Sequence, residues 1–131
     1  MKKYTLKSSE IPEFLSEGLD EEQLKAVVQS NGRSLIVAGP GSGKTRVITY
    51  KIAHLVSNSV SPQNILLVTF TRAASREMID RARRTSGSSL QGMLSGTFHH
   101  VCNYFLRKYS KAAELKENFT ILDREDSKDL I

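Results

Sequence analysis

Residues 38–45 have the sequence AGPGSGKT. They match the Walker A pattern, G-x-x-x-x-G-K-[ST], except that Ala38 stands in place of the first glycine. In this pattern the glycines let successive backbone N–H groups point at phosphate oxygens, and the following helix adds the positive end of its dipole. Lys44 can then reach the β- and γ-phosphates of a nucleotide, and the Thr45 hydroxyl is placed to ligate Mg²⁺. The alternative is a glycine-rich turn between a strand and a helix.

The residues on either side favour a phosphate-binding loop over a plain turn. Ser34–Ala38 is a short apolar run with β-branched residues, which predicts a strand buried on both faces. After Thr45 the sequence predicts a helix with an apolar face formed by Val47, Ile48, Ile52, Leu55 and Val56. A strand, this loop and a helix in that order are the context in which the pattern binds nucleotides.

Strands and helices alternate along the rest of the chain. The predicted elements are a helix capped by Asp20, a strand at Ile65–Thr69, a helix at Ala73–Arg84, a flexible Gly/Ser-rich loop at Thr85–Ser95, a helix at Thr97–Ser110 and a strand at Phe119–Leu122. Cys102 falls on the apolar face of the last predicted helix, where we expect it in the core. The alternation predicts an α/β fold with a parallel sheet.

Composition and charge narrow the functional classes. The chain has 131 residues, a net charge of +5 and one cysteine. No apolar run is long enough for a membrane span, and a single cysteine is expected of a cytoplasmic protein. The whole charge excess lies in residues 72–108, which hold seven Lys or Arg against two Asp or Glu. This suggests a face that meets a polyanion, although charged runs are often only solvated helix faces.

Gln23 has two interpretations. With Asp20 at the N-cap and Gln23 three residues later, the pair can form a capping box. Alternatively, the amide can donate to and accept from the N6 and N7 edge of adenine. The spacing alone leaves both open.

Five blocks of this sequence resemble the N-terminal part of UvrD/Rep/PcrA-type superfamily 1 DNA helicases. They are LDEEQLKAV (19–27), AGPGSGKTRVITYKIAHL (38–55), LLVTFTRAASREM (66–78), GTFHHVCNYFLRKY (96–109) and NFTILD (118–123). The resemblance implies a P-loop NTPase (RecA-like) fold, with a parallel sheet flanked by helices, as an incomplete domain. It also implies an ATP-dependent DNA helicase with 3′–5′ polarity, working in DNA metabolism such as repair.

The same resemblance assigns the nucleotide site. Gln23 is similar to the glutamine that selects adenine, and Arg46 lies where the family has an arginine beside the nucleotide. The implied ATP-binding residues are Gln23, Ala38, Gly39, Pro40, Gly41, Ser42, Gly43, Lys44, Thr45 and Arg46. Among these, Lys44 and Thr45 are expected to act in catalysis, with Thr45 as the Mg²⁺ ligand.

Two further blocks resemble motifs that contact single-stranded DNA. The implied DNA-binding residues are Thr69, Phe70, Thr71, Arg72, Thr97, Phe98 and His99. Phe70 follows a predicted strand, where its ring could stack on a base; the alternative is a core phenylalanine. Thr71 and Thr97 could bond phosphates, or could simply cap helices. Arg72 departs from the Asn-Lys often found at 72–73, so the local phosphate contact is expected to differ.

The acidic Walker B pair and the arginine fingers that hydrolysis needs are not recognisable in the sequence. Asp123, Glu125 and Asp126 resemble helix-capping residues instead. We therefore expect an N-terminal arm (1–18), a partial ATP-binding domain (19–122) and the start of a further segment (123–131). Such a chain would bind ATP and single-stranded DNA or a junction with duplex, and would need the rest of the helicase, including its second motor domain, for turnover.

Two alternatives stay open at this point. One is a nucleotide-responsive DNA-binding module that never hydrolyses ATP. The other is a different P-loop enzyme, such as a small kinase, although the sequence shows neither a lid nor an acceptor pocket.

Overall fold

A computed structural model describes residues 11–116 and 118–121 of the chain. The elements are helices α1 (Glu13–Gly18), α2 (Glu21–Gln29) and α3 (Lys44–Ser57), a 3₁₀ turn (Pro62–Asn64), strand β1 (Leu66–Thr69), helix α4 (Arg72–Ser86), strand β2 (Leu94–Thr97) and helix α5 (Phe98–Lys108). Internal contacts group the chain into two units, Met1–Thr97 and Phe98–Ile131.

The sheet confirms the predicted α/β class, although it has only two strands in the described part of the chain. β1 and β2 pair in parallel, from Leu66 opposite Leu94 to Thr69 opposite Thr97. α4 joins the two strands, so the three elements make a βαβ unit. Because the strands are parallel, Thr69 and Thr97 end at the same edge of the sheet, and the residues that follow β1 start from that edge.

α3 takes part in two apolar clusters of the first unit. Ile52 of α3 packs with Leu67, Met78, Ala82 and Leu90, while Val47 of the same helix packs with Leu15, Leu19 and Val27. Leu15 and Val27 are fully buried. The helix that follows the glycine-rich loop is therefore fixed on two sides.

Side chains form hydrogen bonds at both ends of α2. Asp20 and Gln23 form the capping box at the start of this helix, which was one of the two interpretations that the spacing left open. At the other end, the Lys51 ammonium on α3 donates to the carbonyl oxygens of Val27 at 2.7 Å and Ser30 at 3.2 Å. A cation at the C-terminal carbonyls complements the helix dipole. α2 is thus tied to α3 by a side-chain contact as well as by packing.

Two predicted strands are wrong. No strand forms at Ser34–Ala38, where Leu35 is 89% and Val37 88% exposed. Residues 119–121 form none either, and Leu122 lies outside the described residues. A strand needs a hydrogen-bonded neighbour as well as an apolar sequence, and none of the described residues pairs with either stretch.

The segment predicted as a flexible loop contributes to the core. Leu90 within it is buried, and Leu94 and Ser95 begin β2. In the second unit, Val101 is buried on α5, but Cys102 is exposed, so its expected place in the core is wrong. Among the described residues, no helix has the length and apolar character that crossing a membrane requires.

A buried histidine on α3 makes stability depend on pH. His54 is 7% exposed, and its pKa is lowered by burial and by the nearby positive charge of Lys51. Its Nδ1 lies 3.2 Å from Asn58 Nδ2, which fits a neutral ring that accepts this hydrogen bond. The folded chain therefore takes up a proton at this site less readily than the unfolded chain.

We predict that the free energy of unfolding falls as the pH drops below about 6.5, because the unfolded state then binds the extra proton. Urea unfolding of wild type and His54→Gln at pH 7.5 and 5.5 measures this. The variant should lose much of the acid-side fall, whereas His99→Gln, at an exposed position, should keep it. Equal falls in wild type and His54→Gln would contradict the assignment.

Candidate functional site

The glycine-rich loop runs into the N-terminus of α3 through backbone that only glycine adopts readily. Gly41 and Gly43 have φ angles of 75° and 79°, in the left-handed region, and Gly43 is the N-cap of α3. The loop is closed by Ser42, whose Oγ donates to the Gly39 carbonyl oxygen at 2.8 Å. This path brings the loop to the helix terminus, where unpaired N–H groups and the dipole favour an anion.

Lys44 folds over this loop. Its ammonium donates to the carbonyl oxygens of Gly39 at 2.6 Å and Ala38 at 3.3 Å. The cation is held beside the loop backbone, on the first residue of α3. Thr45 follows it, half-buried, and its carbonyl oxygen accepts from Thr49 Oγ1 at 2.8 Å.

Gln23 makes the capping contacts and also reaches the loop. Its backbone N–H donates to Asp20 Oδ1 at 2.9 Å, and its side-chain Oε1 lies 3.4 Å from the Asp20 nitrogen. The other end of the same amide, Nε2, donates to the Ser42 carbonyl oxygen at 3.0 Å. A Cβ atom added to Gly43 would lie only 2.6 Å from this nitrogen. Capping and contact with the loop are therefore compatible roles of one side chain.

Two depressions flank the loop and share Asp20, Gln23, Ser42 and Lys44 in their walls. One, of about 500 Å³, has an apolar side formed by Ala26, Ile36, Val37, Val47 and Ile48. The other, of about 580 Å³, is lined by Gly41, Gly43, Thr45, Arg46 and, from α4, Arg81. Pockets that bind small molecules have volumes of this order. Sequence reasoning missed Arg81, since it lies far from the loop along the chain and carries no local signal for it.

The carboxyl end of β1 is a tight turn held by two threonines. Thr69 is 8% exposed, and its Oγ1 donates to the Thr71 carbonyl oxygen at 2.8 Å and lies 3.4 Å from the Gly96 carbonyl oxygen. The Thr71 hydroxyl accepts from the Ala74 N–H at 3.1 Å and caps α4. Both hydroxyls therefore hold the turn in this structure.

Phe70 lies between these threonines and points away from the core. It is 97% exposed, so the alternative interpretation as a core phenylalanine is wrong. Burying a phenylalanine normally contributes about 1.5–3 kcal/mol, and the fold gains none of this from Phe70. Its ring is available for a partner at the sheet edge.

Exposed arginines follow the same turn. Arg72 and Arg76 lie on the first turns of α4, and within residues 11–116 neither forms an ion pair. Later on this helix Arg81 pairs with Glu77, and Arg83 pairs with Asp80. Arg72 and Arg76 therefore leave uncompensated positive charge at the N-terminal end of α4, next to Phe70, while Arg84 near the other end donates only to the Asp80 backbone carbonyl oxygen.

The remaining predicted residues are divided between the two units. Thr97 ends β2 in the first unit, opposite Thr69. Phe98 and His99 begin α5 in the second unit, where Phe98 is 69% exposed and His99 is also exposed. The described residues contain no group of three or more His, Cys, Asp or Glu side chains able to hold a metal ion.

Comparisons with known proteins agree on one family. Residues 19–131 match the family model of the UvrD/REP helicase N-terminal domain. The chain is 42% identical over 114 residues to the ATP-dependent DNA helicase PcrA of Staphylococcus aureus strain Mu50, covering 86% of this chain. It is 42% identical over 118 residues to the PcrA of Staphylococcus epidermidis strain ATCC 35984, covering 89% of this chain. The chain spans about 16% of the length of these relatives.

We predict that alanine is tolerated differently at three glycines of the loop. Gly39 has open space and no left-handed φ, Gly41 has open space but a φ of 75°, and Gly43 combines a φ of 79° with the overlap on Gln23. Gly39→Ala should leave stability within about 0.5 kcal/mol, while Gly41→Ala should cost roughly 1 kcal/mol and Gly43→Ala more. Urea unfolding measures the order, and equal stabilities would contradict this loop geometry.

Proposed function

Since the chain belongs to the UvrD/REP helicase N-terminal domain family, we propose that it is the ATP-binding segment of an ATP-dependent 3′–5′ DNA helicase. The observation that carries the proposal is the loop of left-handed glycines that places Lys44 and Thr45 at the start of α3. In the proposed protein, residues 19–122 are part of the motor domain, 1–18 precede it as an arm, and 123–131 begin the next segment. We also propose that the protein works in the cytoplasm and takes part in DNA repair.

The residues around the loop fit Mg²⁺-ATP. Backbone N–H groups from Gly41 to Thr45 would face the phosphates, with the Lys44 ammonium exchanging its carbonyl contacts for phosphate oxygens. Thr45 would ligate Mg²⁺ together with phosphate oxygens, as the hydroxyl that follows the lysine of such a loop does. The bound metal would neutralise charge on the phosphates.

The adenine would be read by Gln23. Its amide already lies against the loop through Ser42, and Asp20 holds its backbone through the capping box. An amide offers one donor side and one acceptor side, which matches the N7 acceptor and the N6 donor of adenine; guanine has an acceptor at both N7 and O6, so the amide oxygen would lack a donor there. Arg46, which lines the depression with Gln23, would lie beside the base.

Single-stranded DNA would follow the edge of the sheet where β1 and β2 end. The fully exposed Phe70 ring supports stacking on a base, and the unpaired Arg72 supports a phosphate contact. In the same proposal Thr69, Thr71 and Thr97 shape the edge and offer backbone groups, and Phe98 and His99 of α5 are further proposed DNA contacts. A junction between single strand and duplex is the proposed substrate of the whole helicase.

We predict that the 131-residue chain binds Mg²⁺-ATP without hydrolysing it. The residues recognisable in the sequence hold a nucleotide, whereas the acids that polarise water and the arginine fingers belong to the rest of the proposed helicase. Phosphate release with and without single-stranded DNA should not exceed that of Lys44→Ala. DNA-stimulated turnover that Lys44→Ala abolishes would show that the chain is an ATPase by itself.

We predict that Phe70→Ala weakens binding of an oligo(dT) probe by roughly 5- to 150-fold, the equivalent of about 1–3 kcal/mol for one stacked base. The dependence of affinity on salt should not change, because stacking releases no counterions. Leu35→Ala, which removes a side chain that is 89% exposed elsewhere, is the matched control. Equal affinity of both variants in fluorescence anisotropy titrations would remove Phe70 from the DNA contact.

A further inference from the structure

Arg81 on α4 lies at the nucleotide site although no local motif places it there. It shares the wall of the 580 Å³ depression with Gly43, Lys44, Thr45 and Arg46. α4 belongs to the βαβ unit, so this arginine approaches the loop from an element that the Walker A pattern does not include.

Packing fixes the position from which Arg81 approaches. Met78 and Ala82 are buried on α4 and pack with Ile52 of α3. Arg81 lies one helical turn from Met78 and beside Ala82, at the border of the buried face. The backbone of Arg81 is therefore held against α3, the helix whose first residues are Lys44 and Thr45.

The charge of this depression favours an anion. Its ionisable wall residues are Asp20, Lys44, Arg46 and Arg81, which together carry more positive than negative charge. The Asp20 carboxylate is already occupied, since it accepts from the Gln23 N–H. Glu77, which lies outside this wall, pairs with Arg81, and the wall with Glu77 included still carries a net positive charge.

The Arg81 guanidinium has donors left for a ligand. One of its NH2 groups donates to the Glu77 carboxylate, and the side chains of the two residues are 50% and 55% exposed. A guanidinium has five N–H donors in a planar fork that matches two oxygens of a phosphate. Glu77 therefore orients Arg81 from one side and leaves the rest of the fork free.

We infer that Arg81 is a nucleotide-binding residue, which contacts the phosphate chain of ATP from α4. The inference rests on the proposed function, because it assumes that ATP occupies the loop. α4 also begins at the turn that carries Phe70, so it would then be anchored to the nucleotide at one end and to DNA at the other. This would give the two ligands a shared rigid element.

The test is the affinity of the chain for ATP and ADP, measured by competition against a fluorescent ATP analogue. Arg81→Gln should weaken ATP binding by roughly 5- to 20-fold, a charge-assisted hydrogen bond reduced by partial solvent exposure. Arg83→Gln is the matched control, because Arg83 is on the same helix, pairs with Asp80 at 3.1 Å and does not line the depression. It should stay within about 2-fold of wild type, which corresponds to the small effect of an exposed ion pair.

Two further variants distinguish a failure of the inference about Arg81 from a failure of the proposed function. Glu77→Gln breaks the same ion pair and keeps Arg81, so it should retain nearly wild-type affinity; a loss equal to that of Arg81→Gln would mean that only the pair matters and would overturn the inference. Lys44→Ala should abolish binding. If it does so while Arg81→Gln behaves as wild type, the inference fails and the proposed function stands, whereas unchanged binding in Lys44→Ala removes the proposed function itself.

Discussion

The position of α3 is the constraint on which the rest of the first unit depends. Val47 and Ile52 anchor this one helix in two apolar clusters, and Lys51 ties it to the end of α2. A helix held in this way fixes its own N-terminus, and with it the loop that ends at Gly43. The burial of these side chains thus determines where the N–H groups of the loop can point, which is the precondition for binding an anion.

In the turn after β1, the residues that hold the backbone differ from the residue that we propose contacts DNA. Thr69 and Thr71 use their hydroxyls to close the turn and to cap α4, while Phe70 between them contributes nothing to the core. A ring that is 97% exposed at the end of a strand adds no burial energy to the fold and leaves its apolar surface for a partner. Thr69 and Thr71 hold the turn, and the exposed Phe70 ring is the part of the turn that we propose contacts DNA.

Local signals predicted the glycine-rich loop and most helices, and offered the capping box as one of two roles for Gln23, because each of these features rests on residues close together in sequence. Asp20 and Gln23 are three residues apart, and the glycines of the loop occupy alternate positions 39, 41 and 43. The strand expected at Ser34–Ala38 does not form because pairing depends on distant residues. β2 was missed because Leu94 and Ser95 lie at the end of the Gly/Ser-rich segment predicted as a loop. Arg81 could not be found for the same reason, since only the packing of α4 on α3 brings it to the site.

The central claim is that the backbone of residues 39–45 receives the phosphates of ATP. Hydrogen–deuterium exchange of peptides covering this loop, with Mg²⁺-ATP and with Mg²⁺ alone, tests it most directly. The account predicts slower amide exchange in the loop and at the start of α3 with Mg²⁺-ATP, and no change with Mg²⁺ alone. Exchange that stays the same at saturating Mg²⁺-ATP, or that slows only elsewhere in the chain, would contradict it.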